Sequence, residues 1–457
     1  MTRSAAVAAA IEYFDSGAFL ADLTRRVALR TENGSPDLRT YLGQEMVPAV
    51  ERLGAAASIV DNPVAGGAPF LVARRREADD LPTVLVYGHA DVVIAEPHRW
   101  RAGLDPWQVT VEQDRWYGRG TADNKGQHTI NLAALEQVLR ARGGRLGFNV
   151  SVLVDCGEES GSPGLRELCA QRRDELSADV LIASDGPRVA ADRPTVFLGT
   201  RGTAAFTLRV DLRDRAYHSG NWGGALRNPA TVLAHAVACL VDRRGRILVD
   251  GLRPPAVPDS VREALRTLRI GGGPDDPDVD EDWGEPDLTP SERVIAWNSL
   301  EVLSLAAGNP ATPVNAIPGS AHAHCQLRYV VGTDIAALAR HLREHLDAQG
   351  FSMVTVHPGM NMGASRTDPD DPWVRFVLDS LQRTDGAAPA LLPNLGGSLP
   401  NDVFADDLGV KTIWIPHSYP ACAQHAPDEH LLGSMARQAL ALMAGLYWDI
   451  GDRTVDR

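Results

Sequence analysis

The chain has 457 residues, 44% apolar and 23% charged, which is long enough for two or three domains with cores of their own. Its formal net charge is −14 and no run is rich in Lys and Arg, which argues against nucleic acid or an anionic membrane as the main partner. No apolar stretch approaches the ~18 residues of a spanning helix. The Ala-rich run from Ala5 to Ile11 is broken by Glu12 and Asp15 and lacks a small-residue cleavage site, and the five scattered cysteines form no Cys-x-x-Cys pair, so a cytoplasmic protein with reduced thiols is expected.

Residues 1–50 read as helical, with Leu20, Leu23, Val27, Met46 and Val50 on apolar stripes around a turn at Asn33-Gly34-Ser35-Pro36. Three β-branched runs follow, each ending in polar residues. The run from Thr83 leads into His89-Ala90-Asp91, the run from Asn149 into Asp155-Cys156-Gly157-Glu158-Glu159, and the run from Ala178 into Ser184-Asp185. A helix is expected over about 127–142. Near-continuous apolar strands alternating with helices predict an α/β domain with a mixed, mainly parallel sheet, whose ligands sit at the carboxyl ends of the strands. All three polar segments fall there.

From about Thr195 the pattern changes to period two. Residues 206–212 and 321–330 read as half-exposed antiparallel strands, with helices at about 229–243 and 334–349 and an exposed Gly/Pro/Asp-rich loop at 271–290. After Pro358 the α/β pattern returns, with a strand over 410–415 and a closing helix at about 431–447. The expected organisation is a catalytic domain over 1–195 and 358–457, interrupted by an inserted α+β domain over 196–357.

Five strand-end or loop positions offer metal ligands: His89, Asp123, Glu159, Asp185 and His425. Zinc accepts imidazole nitrogen and carboxylate oxygen, and a carboxylate can bridge two ions about 3.5–4 Å apart. Asp91, two residues from His89 on an extended strand, would face the same way and accept the ring N–H. Of the adjacent Glu158 and Glu159, one can ligate while the other takes a proton from water. A lone His-x-Asp or Glu-Glu pair is usually structural, so the weight lies on all of these in order.

In that order, Gly88-His89-Ala90-Asp91-Val92, Tyr117-Gly118-Arg119-Gly120-Thr121-Ala122-Asp123-Asn124-Lys125-Gly126, Gly157-Glu158-Glu159-Ser160-Gly161, Ser184-Asp185-Gly186 and His425-Ala426-Pro427-Asp428-Glu429 resemble a known family. It is the two-metal metallopeptidases that include carnosinase-like dipeptidases, carboxypeptidase G, aminoacylase and succinyl-diaminopimelate desuccinylase. The resemblance spans essentially the whole chain and implies an inserted lid and dimerisation domain. It implies that Asp123 bridges two divalent ions, zinc first with cobalt or manganese as alternatives. Glu159 and His425 would complete one site, and His89 and Asp185 the other. Glu158 is the implied general base and Asp91 the orienter of His89. An aspartate at 185 leans towards the dipeptidase and carboxypeptidase members.

In the inserted domain, Tyr217-His218-Ser219-Gly220 resembles the family's segment whose histidine serves the partner subunit's active site, implying a homodimer. Arg328, after Asn315-Ala316-Ile317-Pro318, resembles the arginine that grips the substrate's carboxylate, and Gly396-Gly397-Ser398 the loop that contacts the same group. Asn315, Arg328, Gly397 and Ser398 are therefore candidate substrate-binding residues. Two departures stand out: Asn124, where many members have a second aspartate, and Tyr329-Val330-Val331, where Leu-Val-Pro commonly follows the arginine.

His322 and His324 share a strand face without a nearby carboxylate and read as structural. His341 and His345 have zincin spacing, but Leu342 stands where that motif has its glutamate, so they read as solvent-facing helix residues. The implied function is hydrolysis of an amide bond in a small, carboxylate-bearing, peptide-like substrate. The alternatives are an N-acyl-amino-acid deacylase with the same site and a non-catalytic binding relative.

Overall fold

The computed structural model describes residues 2–271 and 277–453. It divides into two compact units: one holds the chain up to Gly199, Arg366–Leu392 and the chain from Leu399 onward, and the other holds Thr200–Ser365 with Pro393–Ser398.

In the first unit the strands are β1 (Ala56–Val60), β2 (Phe70–Arg75), β3 (Thr83–His89), β4 (Thr110–Glu112), β5 (Arg115–Tyr117), β6 (Asn149–Asp155), β7 (Val180–Ala183) and β8 (Thr195–Phe197). The short β9 (Gly199–Thr200) ends this first stretch of the unit. The second unit carries β10 (Gly202–Asp211), β11 (Tyr217–His218), β12 (Ser299–Ala307), β13 (Ala316–Ile317), β14 (Ser320–Tyr329) and β15 (Val354–Met362). After β16 (Ser365–Arg366) the first unit resumes with β17 (Ala390–Leu392), β18 (Lys411–Trp414) and β19 (His430–Leu432).

Eight strands form the main sheet in the order β1-β2-β6-β3-β7-β18-β8-β17. Its centre is parallel, β3 pairing in that sense with β6 and β7, and β7 with β18. Every residue of β6 is buried, and all of β3 after Thr83, as a sheet covered on both faces requires. The helix Lys125–Ala141 is buried along nearly its whole length, and the closing helix Gly433–Asp452 packs its Leu440, Met443, Leu446 and Tyr447 into the same core. A separate three-stranded sheet, β19-β5-β4, ties the C-terminal segment to residues 110–117.

In the second unit β12-β14-β10-β15 form an antiparallel sheet. Alternate residues Ala321, Ala323, Cys325 and Leu327 of β14 join Leu233, Ala236 and Leu240 of the helix Pro229–Leu240, and Leu338, Leu342 and Leu346 of the helix Leu338–Ala348, in one core. His322 and His324 fall on the other, exposed face with their rings edge to face. His341 and His345 are half-buried rather than solvent-facing: the His345 ring meets the Cys239 carbonyl at 2.8 Å, and His341 packs against Gly251. Of the Gly/Pro/Asp-rich loop, residues 272–276 lie outside the described residues; 277–289 are turns and irregular chain. No helix among the described residues is long and apolar enough to cross a membrane.

Candidate metal centre

The parallel strands deliver their polar ends to one place because β3, β6 and β7 run in register: His89 pairs with Asp155, and Leu85 with Leu181. His89 ends β3, Glu158 and Glu159 sit on a short 3₁₀ turn beyond β6, and Asp185 follows β7. Asp123 precedes the buried helix Lys125–Ala141, and His425 comes from the loop before β19.

These side chains form two candidate ligand groups that share Asp123 and could each hold a metal ion: His89, Asp123 and Asp185, and Asp123, Glu159 and His425. His89 Nε2 lies 2.9 Å from one Asp123 oxygen and His425 Nε2 2.9 Å from the other. Asp185 Oδ2 is 3.5 Å from His89 Nε2, and Glu159 Oε2 is 3.0 Å from His425 Nε2. Glu158 Oε2 stands 4.0 Å from His89 Nε2, beside the ligand groups and outside both.

Asp91 lies just past the end of β3. The His89 Nδ1 is 2.9 Å from the Asp91 backbone carbonyl and 3.3 Å from its carboxylate. The same carboxylate accepts the backbone N–H groups of Glu158 (3.2 Å) and Glu159 (3.0 Å), so it holds the acidic turn as well as the imidazole.

The electrostatics describe a site short of positive charge. Burial pushes the Glu158 carboxyl well up, only partly opposed by His89. Asp185 rises to about 7 through burial and the neighbouring Asp123. Burial would lower His89, but Asp123 and Asp91 hold it well above its usual range, and hydrogen bonds to Asp123 and Glu159 lift His425 to about 10. Two oxygens in the cluster, Glu159 Oε1 and Asp185 Oδ2, are buried without a hydrogen-bond partner. Such orphaned acceptors are costly unless a cation meets them, and a mixed imidazole and carboxylate donor set suits zinc. The residues present fit a pair of divalent ions.

Three residues at this centre were given no role in the sequence reading. Gln424 donates to Asp123 Oδ2. Asn124 joins two ligand segments, donating to the Ser184 carbonyl (2.8 Å) while its Oδ1 faces the ring of His128 (3.2 Å). An aspartate there would lack that donor. Glu429 accepts hydrogen bonds from the backbone of the Asp123 segment. Their types are common, and only the fold gives them direction.

Residues 85–448 match peptidase family M20/M25/M40. The chain belongs to that family. The M20 chain is 31% identical to the cysteinylglycine-S-conjugate dipeptidase of Corynebacterium striatum, over 77% of its own length and 76% of that protein's. It is 27% identical to the human Beta-Ala-His dipeptidase, over 90% and 86% of the two chains. Its fold is similar to that of an M20 metallo-carboxypeptidase from Sulfolobus solfataricus, with a TM-score of 0.79 at 23% identity, covering 95% of this chain and 99% of that one. It is an enzyme, a metal-dependent peptidase of the M20 family.

The remaining candidates belong to the second unit of the M20 chain. His218 ends β11 opposite Ala316 of β13, and Ser219 N–H donates to the Asn315 carbonyl (2.9 Å), which places His218 and Asn315 at one strand pair. The His218 side chain is exposed, its Nδ1 accepting from Gly220 N–H (3.1 Å). Arg328 Nη1 donates to Ser398 Oγ (3.0 Å), and Ser398 Oγ donates to the Arg201 carbonyl (2.8 Å), so Arg328 and the Gly396–Gly397–Ser398 loop form one cluster. Arg201, also missed by sequence reasoning, reaches the Gly396 carbonyl, and burial beside Arg328 brings its guanidinium down to about 10.

Proposed function

We propose that this M20 peptidase hydrolyses the amide bond of a dipeptide-sized substrate with a free carboxylate, using Glu158 as general base. The observation that carries the reading is the Glu158 carboxyl itself. It is half-buried beside the two groups, belongs to neither, stands 4.0 Å from His89 Nε2, and burial raises its affinity for a proton. The relatives named dipeptidases supply the substrate class.

His89, Asp123 and Asp185 would hold one ion, and Asp123, Glu159 and His425 the other, with zinc as the native metal and cobalt or manganese as substitutes. Two bound divalent ions supply Lewis acidity and lower the pKa of water towards about 7. Glu158 takes a proton from the attacking water and returns it to the leaving amine nitrogen. Asp91 fixes the His89 ring and the 158–159 backbone meanwhile. Arg328, Ser398 and Gly397 hold the substrate's carboxylate and Asn315 its backbone, and His218 donates to the developing oxyanion.

His218 serves the opposite active site of a homodimer formed through the inserted lid domain. The edge strand β12 supports this, since among the described residues it pairs on one side only, and its Val302, Leu303 and Leu305 are exposed. The enzyme works in the cytoplasm.

The test is a panel of dipeptides and N-acyl amino acids with zinc-reconstituted enzyme, alongside elemental analysis. About two ions per chain, loss of activity on chelation and preference for dipeptides are expected. Stoichiometric metal without dipeptide hydrolysis overturns the substrate assignment, and a preference for N-acyl amino acids makes it a deacylase. Absence of metal together with chelator-insensitive activity overturns the chemistry.

A further inference from the structure

Asp123 and His425 come from segments some 300 residues apart, yet both must meet one ion. The Glu429 side chain stands between their two segments. It is 1% exposed and accepts N–H groups from Gly120 (3.1 Å), Ala122 (2.9 Å) and Asp123 (3.0 Å), together with Arg119 Nη1 (2.7 Å). Its own carbonyl accepts Gly118 N–H (3.0 Å), beside the pairing of β19 with β5. Arg119, equally buried, turns its other terminal nitrogen to the Ala426 carbonyl (3.1 Å), one residue past His425.

The loop that this arginine holds needs holding. His425 has φ +60°, Ala423 φ +57° and Asp428 φ +64°, three non-glycine residues in the left-handed region within six positions. Such conformations persist where surrounding contacts over-determine them. A carboxylate that accepts several backbone N–H groups and a guanidinium makes charge-assisted bonds, the strong class of hydrogen bond.

We infer that Glu429, acting with Arg119, is a positioning residue that sets His425 against the Asp123 segment and thereby the affinity of the ion that His425 holds with Asp123 and Glu159. This rests on the two-metal reading. Partners of this kind typically change metal affinity about 10–100-fold when altered. Glu429→Gln keeps one oxygen for the backbone N–H groups and turns an NH₂ towards Arg119, donor against donor. It therefore loosens the His425 arm while sparing His89 and Asp185. Arg119→Met cuts the same arm from the other side.

The experiment titrates Zn²⁺ into chelator-stripped protein against a chromogenic chelator, with circular dichroism to check the fold. The parent should take up two ions per chain. Each variant should bind one of them about 10–100-fold more weakly and the other nearly as the parent does. Excess zinc should restore kcat with KM unchanged. Two folded variants that bind both ions like the parent overturn the assignment. So does failure of both to fold, which would make the pair a requirement of the fold alone. A parent that binds fewer than two ions refutes the two-metal reading instead.

Discussion

Replacing Glu158 by glutamine removes one proton acceptor and little else. The backbone at 158 and 159 is held by the Asp91 carboxylate through main-chain N–H groups at 3.2 and 3.0 Å, which the substitution leaves in place. The Glu158 oxygen nearest to His89 is 4.0 Å away, so no direct hydrogen bond to that ligand is lost. Side chain length and volume are conserved. General-base catalysis contributes about 10²–10⁴-fold, or about 2.7–5.4 kcal/mol at 1.36 kcal/mol per tenfold. The neighbouring carboxylates Glu159 and Asp185 belong to the ligand groups, which leaves no ready substitute, so the loss should fall in the upper half of that range. Initial rates on a dipeptide, with metal content and melting temperature measured on the same preparation, provide the assay. A variant that keeps two ions and the parental fold yet retains more than a tenth of the turnover would refute Glu158 as the base.

Mixing inactive Glu158→Gln and His218→Ala chains should regenerate activity, since random re-pairing makes about half the dimers mixed, each with one intact site; chains shown to exchange that stay inactive would confine His218 to its own subunit. Burial, with Arg188 adding to it, holds the His417 pKa well below its usual range. The unfolded chain takes up that proton near pH 6.5 and the folded chain does not, so stability should fall below that pH by up to about 1.4 kcal/mol per unit. Urea unfolding at pH 7.5, 6.5 and 5.5 should show a shallower loss for His417→Leu, and an unchanged slope would contradict the burial argument. An added Cβ at Gly88 would stand 2.6 Å from His128 Cβ, so Gly88→Ala should destabilise the protein by about 1–3 kcal/mol in urea unfolding, and a neutral result would show that this contact relaxes freely.

The elements most legible in the sequence were those whose burial is total or strictly alternating. The apolar runs at 83–88, 149–154 and 178–183 became β3, β6 and β7, and the alternation at 321–330 became β14, because two covered faces or one leave no other pattern. The α/β class with a mainly parallel sheet followed from them. Short elements were not legible: β4, β5 and β19 are three residues each, and their pairing is a tertiary event. The same holds at the metal centre. Ligand-type residues stand out by chemistry at strand ends, whereas Gln424, Asn124 and Glu429 acquire their meaning from a side chain and backbone groups that approach them only in the folded chain.

The order of the ligands along the chain has a consequence for biosynthesis. His89, Asp123, Glu159 and Asp185 all leave the ribosome before the second unit begins at Thr200, while His425 emerges only after that unit is complete. A nascent chain folding from its N-terminal side can gather one ligand group in full and the other short of its imidazole. The strands that accompany them differ in the same way, since β18, which sits between β7 and β8, also arrives late. Polypeptides cut short by stalling at residues 200–365 of the second unit would thus leave the ribosome with β8 cut off from β1, β2, β3, β6 and β7 and with one complete set of candidate ligands.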